Sequence, residues 1–410
     1  GLGSSGKSVV KFFRKNNFKK YKVWDDNKKD LFKSKRTNNL KETLNKVDYI
    51  VLSPGISSIN KKNLIKFKKK IITDIDLIYL TNKSFKSIVV TGTNGKSTTC
   101  KLLSYLLKNN KYKVLLGGNI GTPILDLKIK KNVYLVIEAS SFQLSHSQFI
   151  NPDYAFLLNI TNDHLDWHGS MYNYKNSKLK IFKCQNKKQF SIINYKFKKI
   201  FEKRNFSGKL IIPNIKKYIK VKTKIKNYYF SSSINDENMS FVYAFSKLIK
   251  ISDKNFINSF KSFVGLPHRY EVFLNNKNIF FINDSKATTF EAAKYALSNS
   301  KNIHWILGGL PKKNDKILLS GVKKNIIKCY LIGKNIDFFK KQIKGKVNFS
   351  VTKNIKKTLI EILKDIKSSS KKNISILLSP SAASYDQFIN FEKRGDEFRK
   401  LSKFYARKFI

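Results

Sequence analysis

Residues 89–103 read VVTGTNGKSTTCKLL, an apolar run that meets a glycine turn and then a Gly-Lys-Ser-Thr opening of a helix-like pattern. The common phosphate-binding loop places four residues between its first glycine and the Gly-Lys pair. Here only Thr93 and Asn94 separate Gly92 from Gly95-Lys96. The physics survives the shortening. Backbone N–H groups in such a turn and at a helix N-terminus are unpaired and converge, which makes an anion site. Lys96 adds positive charge for terminal phosphates, and Ser97 or Thr98 brings a hydroxyl to Mg²⁺. Nucleoside triphosphate binding is therefore expected, with the reaction left open.

Three further groups could act beside such a loop. Glu138 ends the run VYLVIEAS (133–140), where its carboxylate would hold a Mg²⁺ bridging the phosphates. A solvated strand-end glutamate reads equally well from the residues alone. His164 and His168 stand four apart, which invites a zinc reading. No third ligand recurs at a helical offset, and Asp163, Asp166 and Gly169 occupy the same loop. His164 as a single ligand or phosphate contact is the better reading. The helix-like stretch 170–183 then carries an anomaly: its apolar residues, from Met171 to Phe182, define one face, and Lys178 falls about 30° from the centre of it. A lysine there must snorkel, pair or lose its charge. Lys175 lies as close on the other side, so periodicity does not choose between them.

These groups need a scaffold that presents them at strand ends. Apolar runs at 22–26, 48–55, 87–92, 133–140, 154–161, 279–285, 303–309, 329–334 and 374–380 alternate with helix-like runs at 96–109, 170–183, 239–250, 288–299 and 391–407. That rhythm predicts α/β architecture, with parallel sheets covered by helices. Most of these strands run into Gly, Ser, Asn or Asp clusters, where open α/β sheets bind ligands. The chain opens on GLGSSG, a G-x-G-x-x-G at Gly1, Gly3 and Gly6 followed by helix-like KSVVKFF. Such a turn should follow a strand. None precedes it and there is no initiator Met, so the expectation is that the true N-terminus and first strand lie upstream. Domain boundaries are expected near residue 75 and near VGLPHRY (264–270), and no internal repeat is evident.

The 410 residues suffice for two or three domains, and 41% apolar content fits a folded chain. No apolar run approaches the roughly 18 residues of a membrane span, and no charged-then-apolar run at the start of the sequence suggests export. Cys100, Cys184 and Cys329 match no metal spacing and read as reduced thiols of a cytoplasmic protein. The net charge of +55 suggests nucleic acid at first sight. Yet only 7 of the 82 basic residues are arginine, the residue favoured for phosphate and base recognition, and the lysines are spread throughout. The charge reads as a compositional bias on solvated faces.

TGTNGKST, GGNIG (117–121), EASSFQL (138–144), NDHLD (162–166), NSKLKIF (176–182), LPHRYE (266–271), NDSKAT (283–288), LGG (307–309) and SPSAASYDQF (379–388) occur in this order. In that set and order the chain resembles the Mur ligase family, ATP-dependent amide-forming ligases of peptidoglycan synthesis, over essentially its whole length. TGTNGKST and NDHLD mark the superfamily; EASSFQL and SPSAASYDQF are characteristic of members that add D-glutamate. The resemblance implies a Rossmann-like UDP-sugar domain over 1–74, a central P-loop ATPase domain with a parallel sheet over 75–265, and a Rossmann-like C-terminal amino-acid domain over 266–410. The implied activity is ATP-dependent addition of D-glutamate to UDP-N-acetylmuramoyl-L-alanine through an acyl phosphate, in cytoplasmic precursor synthesis.

The resemblance also implies roles by position. Gly92, Thr93, Asn94, Gly95, Lys96, Ser97, Thr98, Asn238, Arg269 and Asp284 would bind ATP. Ser97 and Glu138 would hold one Mg²⁺, while His164 and a carbamylated Lys178 would hold a second; Lys96, His164 and Lys178 would be catalytic. Ser4, Ser5, Gly6, Asp26, Asn27, Ser53, Gly55, Asn119 and His164 would take the UDP-sugar. Thr288, Lys312, Ser384 and the backbone near Phe391 would take D-glutamate. Asp26 and Asn27 stand where some relatives carry Thr and Arg. The adenine-contacting Asn-x-x-Asn reads here as Asn238 and Phe241. Partners are expected to be small-molecule substrates, with no nucleic acid, no membrane insertion and a monomeric state. The rivals are a sister ligase of the same fold, including folylpolyglutamate synthetase, a nucleic-acid-dependent ATPase, and a non-catalytic nucleotide-binding module. SPSAASYDQF argues against the first. The second would show hydrolysis stimulated by DNA or RNA with steep salt dependence.

Overall fold

Short runs that are apolar at every position, such as Ile88-Val89-Val90 and Leu135-Val136-Ile137, are buried on both faces and become central strands of a parallel sheet. A computed structural model describes residues 1–409 apart from 29, 58–61, 82–83, 231–232, 234, 264, 313–314, 369–370 and 372. Two units separate, Gly1–Phe263 and Val264–Ile410; Val264, within the boundary expected from sequence, lies outside the described residues.

In the first unit β1 (Ile50–Val51) and β2 (Ile71–Ile72) pair in parallel. A second sheet holds β3 (Lys86–Thr91), β4 (Val114–Gly118), β5 (Tyr134–Glu138), β6 (Tyr154–Leu157), β7 (Phe190–Ile193) and β8 (Lys209–Ile211). Its order is β4-β5-β3-β6-β7-β8, and every pairing is parallel. After β3 the chain leaves to the β4 edge, returns through β5, and then crosses to β6. The strand order therefore reverses around β3, and the crevice beyond the carboxyl ends of β3, β5 and β6 is where such a sheet binds ligands. Helix Lys96–Asn109 follows β3 directly and buries Leu102, Leu103, Leu106 and Leu107, an i, i+1, i+4, i+5 stripe.

The second unit has β9 (Glu271–Asn276), β10 (Ile279–Asn283), β11 (Ile303–Gly308), β12 (Ile326–Ile332), β13 (Phe349–Lys353) and β14 (Ile374–Leu378). The order is β13-β12-β11-β14-β10-β9, parallel except for β9 against β10. The helix expected at 391–407 runs Phe391–Phe409. The strand expected at 22–26 does not form. It is reduced to a single bridge, Val23 to Arg36, because Asp25 accepts hydrogen bonds from Asn27 N and Lys28 N and turns the chain. Among the described residues no helix is long and apolar enough to cross a membrane.

Candidate active site

The turn between β3 and helix Lys96–Asn109 is built by its glycines. Gly95 caps the helix at φ +80°, and a Cβ there would stand 2.4 Å from Asn238 Oδ1. A side chain is excluded by conformation and by space. The turn is braced from the β6 side: Thr93 N donates to Asn159 O at 2.9 Å, and Asn94 N to Asn159 Oδ1 at 2.8 Å. Thr93 Oγ1 lies 2.9 Å from Tyr174 OH. Asn159 and Tyr174 were not singled out from sequence, since nothing local marks them as partners of a loop more than 60 residues away. Lys96 Nζ donates to Gly92 O (2.8 Å) and Thr93 O (2.7 Å), so its charge sits inside the turn.

Lys178 meets the same turn, and Glu138 ends the strand paired with β3. Glu138, at the carboxyl end of β5, is 2% exposed. Its Oε1 accepts from Asn119 Nδ2 at 2.9 Å, whereas Oε2 is buried with no hydrogen-bond partner in the structure. A buried carboxylate oxygen left bare is costly unless a proton or cation completes it. Ser97, which is buried, opens the helix just after the turn, so this donor set fits a hard cation that takes oxygen ligands. Lys178 is 1% exposed and donates from Nζ to Gly92 O at 2.8 Å, over the Tyr174 ring. Burial, together with the positive charge of Lys96, holds its pKa well below the usual lysine value, against the pull of Asp163 and Glu138. Lys175 is only half-buried, so the choice left open by periodicity falls to Lys178.

His164, in left-handed conformation at φ 52°, lies 3.3 Å from Asp163 Oδ2 through Nε2, with its ring 4.7 Å from that of Phe142. His168 packs against the same Phe142 and Tyr174 rings but turns its Nε2 to Ser141 Oγ at 3.0 Å in a buried setting. Among the described residues no three His, Cys, Asp or Glu side chains group as a metal site. For the adenine pair, Asn238 reaches the turn, while Phe241 is buried in the core against Phe156.

Of the residues assigned to the sugar nucleotide, Ser4, Ser5 and Gly6 open the first helix, Ser4–Lys15, and Ser53 contacts Gly1 just before it, whereas Asn119 stands at Glu138 and His164 beside Asp163. Gly6 faces Gly1 O so closely that a Cβ would overlap it, and Ser53 Oγ donates to the same carbonyl at 2.7 Å. Ser4, Asp26, Asn27 and Gly55 are exposed. Asp26 accepts from Trp24 Nε1 at 2.9 Å, but Asp25 organises the segment. Leu2 N joins Asn27 N and Lys28 N on its carboxylate, and these backbone donors hold its pKa down to about 2. The Asp-x-Asn-Lys pattern was the available signal for that turn.

In the second unit the assigned residues collect at the carboxyl ends of β10, β11 and β14. Gly308 (φ +140°) and Gly309 (φ +131°) allow backbone approach that a side chain would block. Arg394, 1% exposed, donates to Ser285 Oγ, Ser285 O and Ala382 O, with Nη1 left without a partner. Ser285 Oγ in turn donates to Phe391 O at 2.8 Å. Arg394 was not anticipated, and it ties the Ser384 turn to the Phe391 helix start. Ser384 is buried; Thr288 is half-buried and Lys312 exposed. Arg269 is half-buried beside Asp284.

Asp284 accepts from Ser379 Oγ (2.7 Å) and Tyr270 N (3.1 Å), yet burial pushes its carboxyl up to about 7. The unfolded value is near 3.9. The native state therefore holds a proton that the unfolded chain loses, and stability falls as pH rises from about 4 through 7. Asp284→Asn keeps an acceptor for Tyr270 N without that ionisation. Its stability relative to the parent is expected to rise by about 4 kcal/mol between pH 4 and pH 8. Urea unfolding at the two pH values checks this, and a pH-independent difference contradicts it.

Residues 90–264 match the family described as the Mur ligase middle domain. The chain is similar to the UDP-N-acetylmuramoylalanine--D-glutamate ligase of Rickettsia felis, with 38% identity covering 93% of this chain and 91% of that protein. It is equally similar, at 38%, to the enzyme of the same name from Buchnera aphidicola subsp. Schizaphis graminum, covering 98% and 96%. Among solved structures, the MurF ligase of Thermotoga maritima in complex with ADP shares the fold. Its TM-score is 0.54 at 18% identity, over 85% of each chain.

Proposed function

From the premise that this chain belongs to the Mur ligase family, we propose that it joins D-glutamate to UDP-N-acetylmuramoyl-L-alanine at the expense of ATP, in peptidoglycan precursor synthesis. The observation that carries the reading is the meeting of Lys96 and Lys178 on one carbonyl, Gly92 O, beside a buried glutamate with an unfilled oxygen.

A carboxylate resists attack by an amine, so the alanyl carboxylate must first be activated. One of its oxygens attacks the γ-phosphorus of ATP, ADP leaves, and an acyl phosphate results. The D-glutamate nitrogen then adds to the acyl carbon, and collapse of the tetrahedral adduct expels inorganic phosphate and a proton. The chain's part is placement and charge. Gly92, Thr93, Asn94, Gly95 and Thr98 wrap the phosphates, and Lys96 exchanges its two carbonyl acceptors for phosphate oxygens. Asn238, Arg269 and Asp284 serve the nucleotide. Ser97 and Glu138 would hold one Mg²⁺, and His164 with Lys178 a second. The bound metals supply positive charge for the transferring phosphoryl oxygens.

Lys178 would perform this as a carbamate. Its depressed pKa favours the neutral amine, whose nitrogen would attack CO₂, forming an N–C bond and releasing a proton. The product is an anion that keeps one N–H for Gly92 O.

Ser4, Ser5, Gly6, Asp26, Asn27, Ser53, Gly55, Asn119 and His164 receive the UDP-sugar. Thr288, Lys312, Ser384 and Phe391 receive D-glutamate, whose two carboxylates call for a cation and hydroxyls. We divide the chain into 1–74, 75–265 and 266–410 for these three tasks. The enzyme works on small molecules in the cytoplasm as a monomer, without nucleic acid.

The test is ADP release with UDP-N-acetylmuramoyl-L-alanine and, in turn, D-glutamate, L-glutamate, L-lysine and meso-diaminopimelate. D-Glutamate is expected to exceed the others by about 10²-fold or more. Turnover confined to a diamino acid would assign the chain to a sister reaction.

A further inference from the structure

We propose that His146 is a positioning residue for the sugar-nucleotide substrate, tethering the 53–57 loop to the helix that follows the Glu138 strand. The inference rests on reading that loop as part of the UDP-sugar site. Helix Ser141–His146 starts just after Glu138 and is fixed at its N-terminus by a reciprocal Ser140–Gln143 cap. Lys180 Nζ holds its far end by donating to Ser145 O and Ser147 O.

From that last turn His146 Nε2 reaches Ile56 O at 3.2 Å, across 90 residues of sequence. A carbonyl only accepts, so Nε2 carries the hydrogen. Burial pushes the imidazole pKa down to about 4, so near neutrality the ring is an uncharged single donor.

Ile56 closes a tight turn, its own N–H donating to Ser53 O at 3.0 Å. Ser53 Oγ in turn donates to Gly1 O, the carbonyl against which Gly6 is packed. His146 thus holds from behind the turn that presents Ser53 and Gly55, and the same line of contacts ends at the Ser4–Lys15 helix start. A parallel tie runs from Ser57 Oγ to Trp167 O at 3.0 Å, and the Trp167 ring lies edge-on to His146 at 5.6 Å. Through these contacts the loop for the acceptor substrate is registered to the helix that follows the Glu138 strand.

Calorimetric titration of the full chain with UDP-N-acetylmuramoyl-L-alanine, and separately with a non-hydrolysable ATP analogue, tests this. His146→Leu is expected to weaken the sugar nucleotide about tenfold and leave the ATP analogue within about twofold. His146→Gln, which restores a side-chain N–H, is expected to recover most of the loss. Ser57→Ala removes the parallel tie without disturbing the packed ring and is expected to cost about threefold, so the test stands even if His146→Leu fails to fold. Unchanged sugar-nucleotide affinity in these variants, or an equal loss for both ligands, overturns the proposal. Failure of the parent protein to bind the sugar nucleotide at all would instead overturn the reading of the loop itself.

Discussion

Lys178→Ala is expected to lower ligation by on the order of 10³-fold while the protein remains folded. The two halves of that expectation have separate causes. Lys178 is desolvated and repelled by Lys96, and the carbonyl it serves has Lys96 as a second donor. Truncation therefore leaves no backbone acceptor bare, and the cost is that of a cavity, about 1–3 kcal/mol. Activity falls because the carbamate that would hold the second Mg²⁺ has gone. Steady-state ADP release checks the rate, and thermal unfolding checks the fold. Added bicarbonate should not restore the variant, whereas removal of CO₂ should slow the parent protein reversibly. A carbamate carbon signal after exposure to ¹³CO₂ is expected in the parent and absent in the variant. Full activity of Lys178→Ala, or no such signal in the parent, would dismiss the carbamate.

Glu138→Gln should cost about 10²-fold at saturating substrates and raise the Mg²⁺ concentration needed for half-maximal rate by about tenfold or more. The amide oxygen can still accept from Asn119 Nδ2, so the local hydrogen bond survives. What is lost is the anionic oxygen that now stands buried without a partner. Replacing a buried carboxylate oxygen that has no hydrogen-bond partner should leave stability unchanged or improved. A Mg²⁺ titration of the rate, beside urea unfolding, separates these outcomes. An unaltered Mg²⁺ requirement would mean that Glu138 is not a ligand.

How much of this was readable in advance depended on how local each feature is. The phosphate loop was legible because strand, glycine turn and helix are consecutive, and each part fixes its own conformation. The helix expected over 96–109 forms with those bounds. Central strands were legible as short apolar runs. Edge strands such as β4, β8 and β13 were not, because their faces are only partly buried and their composition is correspondingly mixed. The strand expected at 22–26 failed for a local reason, a side chain competing for backbone N–H groups, and Asp25 rather than Asp26 is that side chain.

By itself, then, the amino-acid order determined the α/β rhythm, the anion-binding turn and the family motifs, since all of these are written in residues close along the chain. Only the folded arrangement decided which lysine of the 170–183 segment is buried. Only it brought Asn159 and Tyr174 to brace the turn, left Glu138 Oε2 bare, and pinned Ile56 to His146. Burial and electrostatic coupling depend on distances through space. A sequence position carries no record of those distances until strand order and helix packing have set them.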